Sequence, residues 1–219
     1  FRPRLRGMLE RRGGGHIPFF GGKRQKAAVV YRRIASAVAY AMVKMAERYV
    51  GALIVLENRT GLGEIIATGT AVDADVSTNL LEQIFEPNTP LHDGAVIIKD
   101  GRIASAGCFL PLSENMSISS TLGTRHRAAL GVSEISDALA FVVSEETGTI
   151  SVAQEGALRR ELTKEEVVNL ITNMAATKYS ARTGKTSVKE ESQPCNGKRK
   201  PKLRQVQATA KSNRAREAH

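Results

Sequence analysis

The 219-residue sequence contains no tryptophan, two cysteines and only 5% aromatic residues. Cys108 lies in an apolar run and Cys195 lies close to the end of the chain. Their number and spacing exclude a disulfide framework and a cysteine-based metal site, and they indicate a reducing cytosol. The scarcity of aromatic side chains also argues against a protein that stacks single-stranded bases on exposed rings.

Long apolar runs and the common nucleotide-binding motifs are missing as well. No stretch approaches the ~20 apolar residues of a membrane span, and no signal peptide is visible. The chain begins at Phe1 rather than at Met, so we expect upstream sequence to have been removed. Gly61-Leu-Gly63 starts like a dinucleotide fingerprint, but Ile66 stands in the place of the third glycine. Gly184-Lys185-Thr186 resembles the end of a P-loop, but no strand precedes it, and no Gly-x-Ser-x-Gly elbow occurs.

The net charge of +10 is concentrated at the two ends. Residues 1–26 hold eight Lys/Arg against one Glu, and residues 179–219 hold eleven against three, which leaves −5 for residues 27–178. We therefore predict a basic, Gly-rich linker over 1–26, one folded domain over 27–178 and a basic disordered tail over 179–219. Basic ends suggest an anionic surface such as a membrane or nucleic acid, although a merely solubilising role is favoured for the tail.

Hydrophobic periodicity predicts that helices and strands alternate, with hairpins between some of the strands. This pattern favours an α/β sandwich, in which a mixed sheet is covered by helices. The predicted helices carry residues 34–49, 77–85, 124–135 and 163–178, and the predicted extended segments are 51–57, 65–72, 95–98, 103–110, 138–143 and 149–153.

Two polar clusters stand out against this background. His92 and Asp93 precede the apolar run 96–98, and the small residues Gly94 and Ala95 leave room for a ligand at the entrance of that strand. The second cluster, residues 123–127, opens a predicted helix with two arginines and a histidine, a combination typical of an anion site. A carboxylate beside a phosphate-type site suggests phosphoryl or nucleotidyl chemistry.

The same clusters resemble the paired Asp-Gly-Ala and Arg-His-Arg motifs of diadenylate cyclase (DAC) domains. The resemblance spans roughly residues 27–178 and extends to several other strings in the same order. Within the family the chain is most similar to the membrane-bound CdaA type, whose membrane helices precede a basic linker like Arg4-Leu5-Arg6. The resemblance therefore implies that this sequence is a soluble fragment without those helices. The further matching strings are residues 85–90, 110–113, 127–131 and 143–148.

The resemblance implies a largely antiparallel central sheet sandwiched by helices, and condensation of two ATP molecules into cyclic di-AMP with release of two pyrophosphates. In that chemistry Asp93 holds or deprotonates a 3′-hydroxyl, and His126 supports the phosphate loop. His92 and Glu146 are the implied ligands of a divalent metal: Mn²⁺ or Mg²⁺, with Co²⁺ as a further candidate. The implied catalytic residues are Asp93, Gly94, Arg125, His126 and Arg127. The implied ATP-binding residues are Gly94, Ala95, Phe109, Leu110, Gly123, Thr124, Arg125, Arg127 and Ser144.

The resemblance also implies partners and a location. Catalysis is expected between two facing protomers of a homodimer. A YbbR-domain membrane regulator and phosphoglucosamine mutase are expected partners, whereas nucleic acid is not. The full-length protein is placed at the bacterial cell membrane, with the catalytic domain in the cytoplasm.

Two other functions stay open at the level of the sequence. One is a metal-dependent nucleotide phosphohydrolase, because an adjacent His-Asp pair binds metal in such enzymes. The other is a non-catalytic nucleic-acid-binding module that uses the basic ends. Taken alone, each site residue also has an ordinary explanation: His92 as a loop histidine, Asp93 as a turn residue, Phe109 as core and Glu146 as a hairpin-turn acid.

Overall fold

The computed structural model describes residues 22–114 and 122–182, and the side chains of 28–114 and 122–180. Within these ranges no helix combines the length and the apolar character that a membrane span requires. The elements in chain order are α1 (Gly22–Glu47), β1 (Ala52–Leu56), α2 (Gly63–Thr68), β2 (Thr70–Asp75), α3 (Thr78–Ile84), β3 (Ala95–Lys99), β4 (Arg102–Cys108), α4 (Thr124–Ile135), β5 (Leu139–Val143), β6 (Ile150–Gln154), β7 (Ala157–Arg159) and α5 (Lys164–Arg182).

The strands form one sheet in the order β2-β4-β3-β1-β5-β6-β7. The central strand β1 runs parallel to β3, with Ile54 opposite Val96. Every other neighbouring pair in this sheet is antiparallel. The predicted mixed, largely antiparallel sheet is therefore confirmed.

Helices cover both faces of the sheet because its central strands are apolar on both sides. All five residues of β1 are buried, as expected for a strand with two covered faces. Alternate side chains divide between two cores: Ile54 and Leu56 pack towards α1, α3 and α5, whereas Leu53 and Val55 pack towards α2 and α4. The predicted helix–sheet–helix sandwich is confirmed by this arrangement.

Local signals in the sequence place several boundaries correctly. Ser77 caps α3, since its hydroxyl accepts a hydrogen bond from the Leu80 amide. Thr163 and Glu166 form the predicted capping box, in which the Glu166 carboxylate accepts the Thr163 N–H at 2.8 Å. The hairpin between β3 and β4 turns through Asp100 and Gly101, which both have positive φ.

Other predictions differ from the structure. The predicted extended segment 65–72 is wrong in its first part, because Ile65 and Ile66 lie in α2. Adjacent side chains of a strand point to opposite faces, whereas α2 lets both isoleucines pack against the same core. The sequence also failed to predict β7. Helix α1 begins at Gly22 and α5 continues to Arg182, and the remaining parts of the predicted linker and tail lie outside the described residues.

Candidate active site

A cavity of about 490 Å³ lies at the edge of the sheet where β1 and β3 begin and where β4 and β5 end. Because β3 and β4 are antiparallel, the residues before β3 lie beside those that follow β4. The antiparallel pairing of β1 with β5 likewise brings Ser144 next to Gly51. The topology thus brings the segments before β3, after β4, after β5 and after β7 together with the start of α4.

Most of the residues singled out in the sequence line this cavity. His92, Ala95 and Arg127 are not part of its lining. The predicted residues that line it are Asp93, Gly94, Phe109, Leu110, Gly123, Thr124, Arg125, His126, Ser144 and Glu146.

Gly94 is required by the close packing of β3 on β4. Its φ is +107°, and a Cβ at this position would lie 2.8 Å from the carbonyl oxygen of Cys108. The carboxylate of Asp93 is exposed beside it on the cavity wall. Ala95 is fully buried and pairs with Cys108 in the sheet, so it contributes packing and backbone rather than a cavity surface.

The first turn of α4 separates the two arginines of the second cluster. Gly123 is the N-cap and has no side chain to cap the helix, so the Thr124 and Arg125 amides have no partner within the described residues. Arg125 lines the cavity, whereas Arg127 is exposed and lies outside its lining. Residues two apart on a helix point in different directions, and this spacing explains the separation.

Arg125 is held at the cavity wall by a carboxylate that sequence reasoning missed. Its Nη1 donates to Oε2 of Glu145 at 2.7 Å. Gly51 leaves room for this guanidinium, because a Cβ at position 51 would come within 2.5 Å of the same Nη1. The run Glu145-Glu146 was visible in the sequence, but only the fold shows that its first member pairs with Arg125.

His126 points into the protein rather than into solvent. It is 5% exposed, and its Nε2 has no hydrogen-bond partner within the described residues. Burial lowers the pKa of His126 below its ordinary value, and the nearby positive charge of Arg160 lowers it further. The imidazole is therefore neutral at pH 7, and it lines the cavity together with Arg160.

The geometry of His92 is compatible with metal binding from just outside the cavity lining. Its Nδ1 lies 2.6 Å from the carbonyl oxygen of Thr89, which can only accept, so Nδ1 is the nitrogen that carries the proton in the neutral tautomer that binds metal through Nε2. Glu146 is an exposed carboxylate on the cavity wall. Among the described residues no group of three or more His, Cys, Asp or Glu side chains could hold an ion. A cation bound by His92 and Glu146 would need further oxygen ligands from a bound substrate. Mg²⁺ is commonly bound in this way, by one or two protein groups together with substrate phosphates.

The wall beside β4 is apolar. Phe109 is 69% exposed, and its amide donates to the hydroxyl of Thr68 at 3.0 Å, which fixes the backbone after β4. An exposed aromatic ring at a cavity mouth suits stacking against a planar ligand. Cys108 lies beneath it, and burial raises the pKa of its thiol, so the sulfur acts as an apolar floor.

Comparisons with known proteins agree with this geometry. The family model described as "DAC: DisA bacterial checkpoint controller nucleotide-binding" matches residues 39–158. The chain is 49% identical over 171 residues to the cyclic di-AMP synthase CdaA of Bacillus subtilis, covering 78% of this chain and 62% of that protein. A diadenylate cyclase of Listeria monocytogenes is 46% identical over the same coverage. The chain thus spans less than two thirds of the length of these curated relatives.

A solved structure supports the same relationship. DacA from Staphylococcus aureus, in a double-mutant form, is 47% identical with a TM-score of 0.63, covering 70% of this chain and 97% of that one. Most of the family match falls on the central sheet and on the elements that build the cavity. The family indicated by the Asp-Gly-Ala and Arg-His-Arg motifs is therefore confirmed, and the chain belongs to the DAC family of nucleotide-binding domains.

Proposed function

We propose that this chain is the catalytic part of a diadenylate cyclase, which condenses two ATP molecules into cyclic di-AMP and releases two pyrophosphates. The observation that carries the proposal is the convergence of Asp93, Arg125 and Phe109 on one cavity. A carboxylate, a guanidinium beside a helix N-terminus and an exposed ring are the groups needed for a ribose hydroxyl, a phosphate and a base. The cavity volume lies within the range of small-molecule sites.

In the reaction the 3′-hydroxyl of one ATP attacks the α-phosphate of another, in line with the departing pyrophosphate. Asp93 accepts the proton of that hydroxyl or orients it for attack. Arg125 donates charge-assisted hydrogen bonds to phosphate oxygens, together with the Thr124 and Arg125 amides, which have no partner within the described part of the chain. Arg127 stays in the proposed phosphate set, but its position outside the cavity lining gives it the smaller share.

Divalent metal is the proposed cofactor, with Mn²⁺, Mg²⁺ and Co²⁺ as candidates. His92 would supply Nε2, and Glu146 would supply a carboxylate oxygen. When bound between these two side chains, such an ion would offset the negative charge that develops on the phosphates. His92 and Glu146 are only two ligands, so further oxygen ligands would have to come from the phosphates of the substrate.

Adenine is proposed to lie on the apolar wall. Phe109 and Leu110 pack against the base, and Gly94 gives the nucleotide clearance at the entrance of β3. Ala95 supports Gly94 from within the sheet. Ser144, which follows β5 and lines the cavity, is proposed to contact the ribose or a phosphate. The neutral imidazole of His126 supports the phosphate-binding turn from below.

Catalysis is proposed to need two facing protomers. The product contains two identical phosphodiester links, so two attacks of the same kind must occur. A two-fold axis between identical sites places each 3′-hydroxyl against the α-phosphate of the other nucleotide. The experiment that tests the dimer is a measurement of specific activity against protein concentration. Activity per protomer should fall on dilution, and a flat profile down to concentrations where the protein is monomeric would contradict the facing arrangement.

The full-length protein is proposed to work at the cytoplasmic face of a bacterial membrane. A solved relative from Bacillus cereus, 48% identical with a TM-score of 0.56 over 58% of this chain and 62% of that one, is described as a hypothetical membrane-spanning protein. The basic segment before α1 would then face anionic headgroups. A YbbR-domain membrane regulator and phosphoglucosamine mutase are the proposed partners, on the strength of the family resemblance.

The product formed from ATP tests the proposed function. The protein should be incubated with ATP and either Mn²⁺ or Mg²⁺, and the products separated by chromatography. Cyclic di-AMP and pyrophosphate are expected. Formation of ADP or AMP alone would indicate the metal-dependent phosphohydrolase instead.

A further inference from the structure

A second arginine enters the cavity from the far end of the sheet. Arg160 directly follows β7 and lines the cavity, together with Arg125, His126 and Glu146. Its neighbour Arg159 does not line the cavity and pairs with Glu166 of α5 at 3.2 Å. Two adjacent arginines therefore have different surroundings.

The pleat of β7 explains this division. Leu158 packs against the core on the α4 side of the sheet, opposite Ala153 of β6. Side chains two apart on a strand point to the same face, so Arg160 follows Leu158 to the side of α4 and the cavity. Arg159 faces α5 on the opposite side. The backbone beyond is fixed, because the Leu162 amide donates to the Ile150 carbonyl at 2.9 Å.

Among the residues that the structure describes, Arg160 is also the cavity arginine that is not paired with a carboxylate. The charge of Arg125 is already matched by Glu145 at 2.7 Å. Within the described residues Arg160 forms no ion pair, although its charge acts on the buried imidazole of His126. A guanidinium that no carboxylate of the described residues holds in an ion pair can bind an anion without first breaking such a pair.

From this position we propose that Arg160 binds the terminal phosphates of the bound nucleotide, the group that leaves as pyrophosphate. This inference rests on the proposed ATP site. Along the sheet edge, Phe109 follows β4, Arg125 and Gly51 lie at β1 and β5, and Arg160 follows β7. A nucleotide whose base lies on Phe109 and whose phosphates pass Arg125 therefore directs its terminal phosphates towards Arg160.

The test compares Arg160→Gln with the matched control Arg159→Gln. Binding of AMP and of α,β-methylene-ATP, which cannot release pyrophosphate, is measured by calorimetry for both variants and for wild type. Arg160→Gln should weaken binding of the triphosphate analogue by about tenfold to a hundredfold and leave AMP binding unchanged, since AMP has no terminal phosphates. Arg159→Gln should bind both ligands like wild type. Melting temperatures of the two variants establish that they are folded.

Two results would overturn the inference. One is wild-type affinity of Arg160→Gln for the analogue, and the other is an equal loss for AMP and for the analogue. Cyclic di-AMP synthesis by wild type is assayed in parallel. A wild type that makes the product while Arg160→Gln binds the analogue normally contradicts only this inference. A wild type that makes no product contradicts the proposed function, whatever the variant does.

Discussion

Nη1 of Arg125 lies 2.7 Å from Oε2 of Glu145, so the arginine best placed to bind phosphate is already paired with a carboxylate of its own chain. A phosphate oxygen of a bound nucleotide competes with this carboxylate for the guanidinium. Glu145 is 61% exposed at its side chain, and an exposed ion pair of this kind is weak. Glu145 therefore keeps Arg125 in position at little cost to substrate binding.

Removing this carboxylate should favour the nucleotide. Glu145→Gln keeps the size of the side chain and abolishes its negative charge, which both competes for Arg125 and repels the polyphosphate. We expect ATP affinity to rise roughly twofold to fivefold, in line with the small free energy of an exposed pair. Calorimetric titration with α,β-methylene-ATP measures the change. Weaker binding in the variant would show that the positioning of Arg125 matters more than the competition.

The role of Asp93 can be separated from binding. Asp93→Asn retains the shape of the side chain but removes the charge that accepts or orients the hydroxyl proton. We expect the fold and ATP affinity to be retained and cyclic di-AMP formation to fall at least about a hundredfold. Product chromatography and calorimetry on the same preparation measure both quantities. Near-normal synthesis by this variant is incompatible with the proposed role.

The two arginines of α4 should differ in importance. Arg125 lines the cavity and Arg127 does not. Arg125→Ala should weaken nucleotide binding about tenfold to a hundredfold, because a hydrogen bond to a charged group contributes roughly 1.5–3 kcal/mol. Arg127→Ala should weaken it less, and it serves as the matched control on the same helical turn. Equal losses would mean that Arg127 reaches the phosphates from the outer side of α4.

His126 should make the stability of the protein depend on pH. Its pKa is lowered in the folded state, so the unfolded chain binds a proton at His126 more readily than the native protein does. The contribution of the neutral His126 to the free energy of unfolding should thus be complete above about pH 6.5. It should be lost as the pH drops from there towards the lowered pKa. Urea unfolding at pH 7.5 and 5.5 measures the difference. His126→Gln should lose less unfolding free energy than wild type between pH 7.5 and 5.5. If the variant loses as much as wild type, the pH dependence comes from groups other than His126.

Sequence reasoning reached the fold because its signals were local. The buried strand β1, the cap at Ser77 and the capping box at Thr163 each depend on residues that are close together in the chain. The first part of segment 65–72 was misassigned because an Ile-Ile pair fits a buried strand as well as one turn of helix. Strand β7 has only three residues and no distinct hydrophobic pattern, so the sequence did not reveal it. It forms because its backbone pairs with the edge of β6.

The site was predicted unevenly for a related reason. Motifs identified Asp93 and Arg125, but no local pattern distinguishes Glu145 from Glu146 or Arg160 from Arg159. Their roles depend on which face of the sheet each side chain reaches. The separation of Arg125 from Arg127 likewise becomes visible only when the first turn of α4 is placed against the cavity.

The central position of β1 determines when the cavity can form during folding. Ile54 pairs with Val96 on one side and with Phe141 on the other, and both contacts join distant parts of the chain. Such pairings form slowly, because a long loop must close before either contact is gained. The ability to bind nucleotide should therefore return in refolding no earlier than the complete sheet. A fragment that begins after β1 would retain nearly all of the site residues and still never assemble the cavity.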